Sequence, residues 1–209
     1  DYILPDSLID IVNFLEKNQS YVSAGGKIIN FEIDNYNNAP YGKVVNFLKP
    51  YSYSRLDEPE EDFGLHIKSV FSNFQPNFYN IFRKETLETI ANELVEIDFS
   101  DLIPMEFFIQ LRAATLGKSR ILCNHSHYLR QRGTSQISAD YNFFENLLKN
   151  NLPDDIRRLS RKIANIKSEE KIYEIIRFEF AEYLNHLLAH TVLKYRFKRL
   201  YQFKVFLKK

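Results

Sequence analysis

From Pro5 to about Gly133 the apolar residues switch repeatedly between a period of two and one of three to four, and after Gly133 only the helical period remains. A chain patterned this way is expected to fold as a layered α/β domain followed by helices, because alternating strands and helices bury their apolar faces on one another. Pro5-Asp6-Ser7 opens an amphipathic helix that carries Leu8, Ile9, Ile11, Val12, Phe14 and Leu15 and ends at Asn18. Tyr21 to Ala24 is strand-like and is expected to stop at Gly25-Gly26. Lys27 to Ile33 sets Ile28, Asn30 and Glu32 against Ile29, Phe31 and Ile33, the alternation of a half-buried strand. Residues 42–49 suggest another strand. Residues 58–74 read as a helix with Phe63, Ile67, Val70, Phe71 and Phe74 on one face, and 78–82 as a short strand. Helices are expected over 84–94 and 101–116, the second stopped by Gly117 in a C′ position, before extended structure at 120–122. Beyond Gly133, residues 139–150, 154–166 and 169–207 read as helices, with Pro153 dividing the first two and a break near 165–168. The expected organisation is an α/β domain over 1–135 and a helical C-terminal extension over 136–209.

Composition excludes several classes. The 209 residues are 44% hydrophobic, enough for a core, so wholesale disorder is not expected. Basic and acidic side chains number 28 and 27, a balance that argues against a general nucleic-acid binder. The lone cysteine, Cys123, cannot form an internal disulfide and fits a reducing compartment. No apolar run is long enough to span a bilayer, and no signal peptide is seen. The chain opens on Asp1 and its only methionine is Met105, so a processed product or a fragment is expected. No GxSxG, P-loop or GxGxxG pattern occurs, which leaves a phosphate-binding hydrolase little support.

A series of short motifs runs along the first two thirds of the chain: Asp1-Tyr2-Ile3-Leu4-Pro5-Asp6-Ser7-Leu8, Phe14-Leu15-Glu16-Lys17-Asn18, Tyr21-Val22-Ser23-Ala24-Gly25-Gly26-Lys27-Ile28, Phe78-Tyr79-Asn80-Ile81-Phe82-Arg83, Met105-Glu106-Phe107-Phe108, Gly117-Lys118 and Tyr128-Leu129-Arg130-Gln131. In this order and spacing they resemble the acceptor side of family 2-like glycosyltransferases of the GT-A fold, closest to enzymes that build bacterial surface polysaccharides. The resemblance implies a chain that begins partway through the GT-A mixed sheet, with the nucleotide-binding strands before residue 1. It also implies a nucleotide-sugar donor, a glycan or lipid-linked acceptor, a divalent metal (Mg²⁺ or Mn²⁺) and inverting transfer. The location it implies is cytoplasmic, peripheral on the inner face of the cell membrane.

Site residues follow by the same carry-over. Asp1 matches the last acid of the family's DxD metal cluster, where hard oxygen ligands let the ion neutralise a diphosphate leaving group; it also reads as an ordinary strand-end Asp. Glu106 matches the general base that takes the acceptor's proton, and Asp101 is its rival; an early helix acid favoured by the macrodipole and an N-cap are the alternatives. His125 and His127, expected on one face of a strand, are candidates for an additional metal ligand, or else polar strand residues. Arg130 and Arg132 match a basic segment that closes over the diphosphate, a task suited to the planar guanidinium fork, although a solvated loop has the same composition.

His186 and His190 share a helix face, but their leucine-rich neighbours point to packing rather than to a metal. Residues 194–209 interleave seven Lys and Arg with Tyr195, Phe197, Tyr201, Phe203 and Phe206 and carry no acid, which suits an anionic membrane surface or a packed helix with snorkelling lysines. The rival to an enzyme is a non-catalytic α/β interaction module whose helical tail binds a membrane or a partner.

Overall fold

The computed structural model describes residues 2–34, 43–47, 62–72, 79–131 and 151–196. In chain order the elements are β1 (Tyr2–Ile3), α1 (Pro5–Lys17), β2 (Tyr21–Asp34), β3 (Lys43–Phe47), α2 (Phe63–Ser72), β4 (Ile81–Phe82), α3 (Lys84–Ile97), α4 (Leu102–Leu116), β5 (Lys118–Gln131), α5 (Asn151–Lys167) and α6 (Glu170–Arg196). The fold is mixed α/β with a helical extension. The strand order is β1-β5-β2-β3, with β4 also paired to β2. β5 runs parallel to β2, whereas β1, β3 and β4 pair antiparallel with their neighbours. Ser23 and Ala24 pair at once with β5 and with β4, and Phe31 with β5 and β3, so β3 and β4 share the β2 edge opposite β5.

Gly25-Gly26 does not end a strand, as the sequence pattern suggested. β2 runs through the pair to Asp34. The glycines are there because other groups crowd them: a Cβ at Gly26 would stand 2.6 Å from the carbonyl oxygen of His125, and one at Gly25 would stand 2.3 Å from Oδ1 of Asn80. The crowding at Gly26 comes from a bulge in β5. Gly26 pairs with Leu122 but Lys27 with Ser126, so three residues of β5 lie opposite a single step of β2. Gly26→Ala should therefore destabilise the protein by about 1–3 kcal/mol, the range of overpacking, because backbone has to move. Gly25→Ala should cost less, since its nearest obstacle is the end of a side chain. Urea midpoints at constant m check the order; equal losses would mean that the bulge yields as readily as a side chain.

The sheet is covered on both faces. Ile11 and Leu15 of α1 pack on Ala24, with Phe14, Tyr21, Ile81 and Leu122 around them. On the other face Ile109 and Ala113 of α4 meet Ile90 of α3 and Phe82. Successive strand residues point to opposite faces, which is why Ile81 joins one cluster and Phe82 the other. Arg83, next in sequence, donates to the carbonyls of Tyr21 (2.8 Å), Leu15 (2.5 Å) and Asn18 (3.3 Å) and so ties off the end of α1.

α4 is apolar nearly all round and buried without interruption from Phe107 to Ala113, as a central helix must be. Its side away from α3 joins Ile67, Val70 and Phe71 of α2, Leu152, Leu159 and Ile163 of α5, and Ile172, Ile176 and Phe180 of α6 in one core. The boundary expected near 134–138 lies outside the described residues, and α5 and α6 share their core with α2 and α4. Arg112 of α4 forms a two-pronged, largely buried pair with Glu93 of α3 (2.7 and 2.9 Å). Asp155 of α5, fully buried, accepts from the N–H groups of Ser100 (2.9 Å) and Asp101 (2.8 Å) and from Arg158 (2.5 Å). Burial pushes its carboxyl up, and the Asp101 N–H, the Arg158 charge and the Ser100 N–H pull it partly back.

Gly117 stops α4, capping it in an extended conformation (φ 166°), and a Cβ there would stand 2.5 Å from Cγ1 of Val22. Two local expectations change. Pro153 lies inside the first turn of α5 instead of ahead of it, a place where its missing N–H has no helical partner to lose. Of the short strand expected over 78–82 only Ile81 and Phe82 pair; Phe78 lies outside the described residues, as do the helix expected over 139–150 and positions 197–207. The break near 165–168 is a turn in which Ser168 adopts φ 55°.

Candidate functional site

The site is organised by the start of α4. Asp101 is its N-cap: the carboxylate accepts from the N–H of Ile103 at 2.8 Å and is buried. This carboxylate thus takes the N-cap role that the sequence offered as its alternative. One turn further on, Glu106 is half-buried. Burial pushes its carboxyl above the ordinary carboxylate range, and the nearby Arg130 charge draws it partly back. Desolvation makes a carboxylate a stronger base than it is in water, and the cation beside Glu106 moderates that gain.

β5 supplies the facing wall. Tyr128 and Arg130, two apart, share one face of the strand. The Tyr79 ring sits 4.4 Å from that of Tyr128, and the Arg130 guanidinium lies 5.8 Å from the Tyr79 ring centre. Burial pushes the Tyr128 hydroxyl up, as does Tyr79, against the opposing Arg130 charge. From α6, Tyr183 packs edge-on to Phe107 at 5.0 Å. Burial first and the Glu106 charge second push its hydroxyl up to about 12, so it stays protonated at neutral pH. Glu106 and Arg130 thus lie near each other, and Tyr79, Tyr128 and Tyr183 form an aromatic surround that the sequence reading did not assign. The two-residue spacing of Tyr128 and Arg130 was a usable signal. Tyr183 carried none, because only the return of α6 over α4 brings it near.

The histidine pair divides. His127 is 2% exposed; its Nδ1 accepts from the N–H of Gly26 (2.9 Å) and its Nε2 donates to the carbonyl of Tyr79 (2.7 Å). Both ring nitrogens are used, so His127 pins β5, β2 and the segment before β4 together and has none left for a metal. His125, in the bulge, instead reaches Asp10 of α1 at 3.2 Å. The bulge explains why the two do not present one ligand face. Among the described residues no three His, Cys, Asp or Glu side chains converge to hold a metal ion. Asp1 and Arg132 lie outside the described residues, as does the His190 side chain; His186 is exposed on α6. The metal-ligand set that the resemblance implies is therefore not assembled by the described residues.

A separate groove of about 580 Å³ opens between α3, α5 and α6, lined by Arg157, Arg158, Arg161, Lys162 and Tyr173. Each of its cations already has an acidic partner: Asp154, Asp155, Glu170 and Glu96 respectively. It reads as a neutralised charge network on a solvated helix face.

No helix among the described residues is long and apolar enough to cross a membrane. No protein-family model, curated protein or solved structure matches the chain.

Proposed function

We propose that this chain is the acceptor side of an inverting glycosyltransferase that moves a sugar from a nucleoside diphosphate to a glycan or lipid-linked glycan. The observation that carries the reading is the half-buried Glu106 carboxylate facing Arg130 within a tyrosine surround. In an inverting displacement an acceptor hydroxyl attacks the sugar's anomeric carbon as the bond to the diphosphate breaks, and a carboxylate takes the hydroxyl proton. Glu106 fills that role. Arg130 suits the oxygens of a phosphate, with which its guanidinium can make paired hydrogen bonds. Aromatic walls with a few convergent polar groups suit a small polar ligand such as a sugar ring. A divalent ion at the diphosphate belongs to the resemblance and is no step of this mechanism.

The deciding experiment is Glu106→Gln in the intact protein, read as release of nucleoside diphosphate from a panel of sugar nucleotides. Transfer should be lost while donor binding persists. If the unsubstituted protein releases diphosphate from none of them, the interaction-module reading takes its place.

The tail completes the proposal. Residues 194–209 would hold a peripheral enzyme beside a lipid-linked acceptor, since each basic residue near an anionic surface adds about 1 kcal/mol. Co-sedimentation with vesicles rich in anionic lipid should fall sharply when these residues are deleted, and fall with added salt; an unchanged pellet fraction removes the membrane from the proposal.

A further inference from the structure

Three buried polar atoms have no hydrogen-bond partner among the described residues: Nε2 and Oε1 of Gln110, and Nδ2 of Asn80. Gln110 is 2% exposed, inside a helix that is apolar nearly all round. A buried amide with neither end bonded is costly, and an aliphatic side chain of similar size would remove that cost. The amide therefore calls for a reason.

Its position supplies one. Gln110 is one turn along α4 from Glu106, so the two side chains leave the helix on the same face. The flanking residues are used elsewhere: Ile109 and Ala113 pack toward α3, and Phe107 and Leu111 pack into the core with α2, α5 and α6. Asn80 comes to the same layer from the sheet. Its Oδ1 lies against Gly25, the neighbour of Ala24; since Ala24 faces α1, Gly25 faces the α4 side. His127 touches Gly25 as well, with Cε1 3.4 Å from the position a Cβ would take, but its nitrogens are satisfied. The layer between α4 and the sheet thus holds a polar strip of Glu106, Gln110, Asn80 and His127. Among the described residues, its two amides hold the buried atoms that have no partner.

We propose that Gln110 and Asn80 form an inner hydroxyl-binding subsite of the Glu106 site, which orients the acceptor sugar while Glu106 takes the proton of its attacking hydroxyl. This rests on the transferase reading above. The chemistry selects the ligand class. A carboxamide offers donor and acceptor without charge, which matches sugar hydroxyls, themselves both donor and acceptor. A phosphate would call for a cation there, and the cation of the site, Arg130, is on β5. Gln110 and Asn80 are positioning residues: they hold the acceptor and take no proton.

The test is Gln110→Leu in the intact protein, with two readouts. In the unliganded protein the variant should match or exceed the wild-type Tm, because an unpaired amide has been exchanged for a methyl-bearing side chain of similar length. In the wild type, the Gln110 side-chain amide resonances, assigned by their disappearance in the variant, should shift on addition of methyl glycosides from a panel of common hexoses and should not shift with inorganic phosphate. The KM for an acceptor should rise at least about tenfold with a smaller change in kcat. A Tm lowered by more than about 4 °C would show that the amide is already bonded in the free protein, and that overturns the subsite. Resonances that ignore every glycoside overturn it too. Repeating the titration in Glu106→Gln separates the two ideas. If Glu106 is not the base the transfer assay shows it, while the amide response still decides the subsite.

Discussion

Replacing Glu106 by Gln is expected to slow transfer by about 10²–10⁴-fold, the usual worth of a general base, and at the same time to make the protein more stable at neutral pH. Both effects have one cause. Glutamine keeps the shape of the side chain but cannot take a proton, so loss of rate with donor binding intact reports the chemistry and not the fold. The stability effect follows from the direction of the pKa shift. Burial raises the Glu106 carboxyl above its ordinary value of 4.5, with Arg130 only partly opposing. A group whose folded pKa is raised contributes stability below its unfolded pKa and loses it as pH rises through the folded value. At pH 7 the ionised carboxylate therefore carries a desolvation penalty that a neutral amide lacks. The Tm difference between variant and wild type should be positive at pH 7 and should shrink as pH is lowered toward 4.5. The acid limb of the wild-type rate profile should likewise fall above 4.5, since the base works only when deprotonated. A variant that turns over normally would end the assignment. A variant less stable at pH 7 would mean that the Arg130 interaction outweighs desolvation.

The strand and helix order was legible because it depends on local periodicity: α1 begins at Pro5 and ends at Lys17, and α4 runs from Leu102 to Leu116, close to the expected bounds. Glu106 and Arg130 were singled out one by one through motif order, and their nearness to each other was not. What the chain did not reveal is what depends on contacts between distant segments. Gly25-Gly26 looked like a strand end, because a pair of glycines in a strand pattern signals either a stop or a close approach, and only the β5 bulge and Asn80 decide which. His125 and His127 looked like a pair, because a two-residue spacing implies one face only where the ladder is regular. Gln110 passed unnoticed as one polar residue in an apolar run. The significance of such a residue lies in its missing partners, and those exist only in three dimensions.

Phe107→Ala should cost about 3–5 kcal/mol. The Phe107 side chain is 0% exposed and, among the rings of the described residues, meets Phe71 stacked at 4.2 Å, Phe180 at 5.2 Å and Tyr183 at 5.0 Å. These rings come from α2 and α6, so the truncation opens a cavity where three helices meet, and the large fixed rings around it cannot close the gap. Phe178, also on α6 but 62% exposed, is the control, and its alanine variant should stay within about 0.5 kcal/mol of wild type. The shape of the transition carries as much information as its midpoint. If residues 136–209 formed an extension with its own core, damage at Phe107 would lower one transition and leave a second in place. The shared core instead requires a single cooperative transition to move as a whole. Urea unfolding followed by far-ultraviolet circular dichroism and by tyrosine fluorescence should therefore give coincident curves for Phe107→Ala, both shifted to lower urea. Tyr183 should loosen with them, because the ring it rests on is gone, and the Glu106 environment should become wetter. The pKa of Glu106, read by carboxyl-carbon NMR, should then drop back toward 4.5 in the variant. A Glu106 carboxyl that stays raised after this truncation would mean that its burial is owed to the sheet and not to α6.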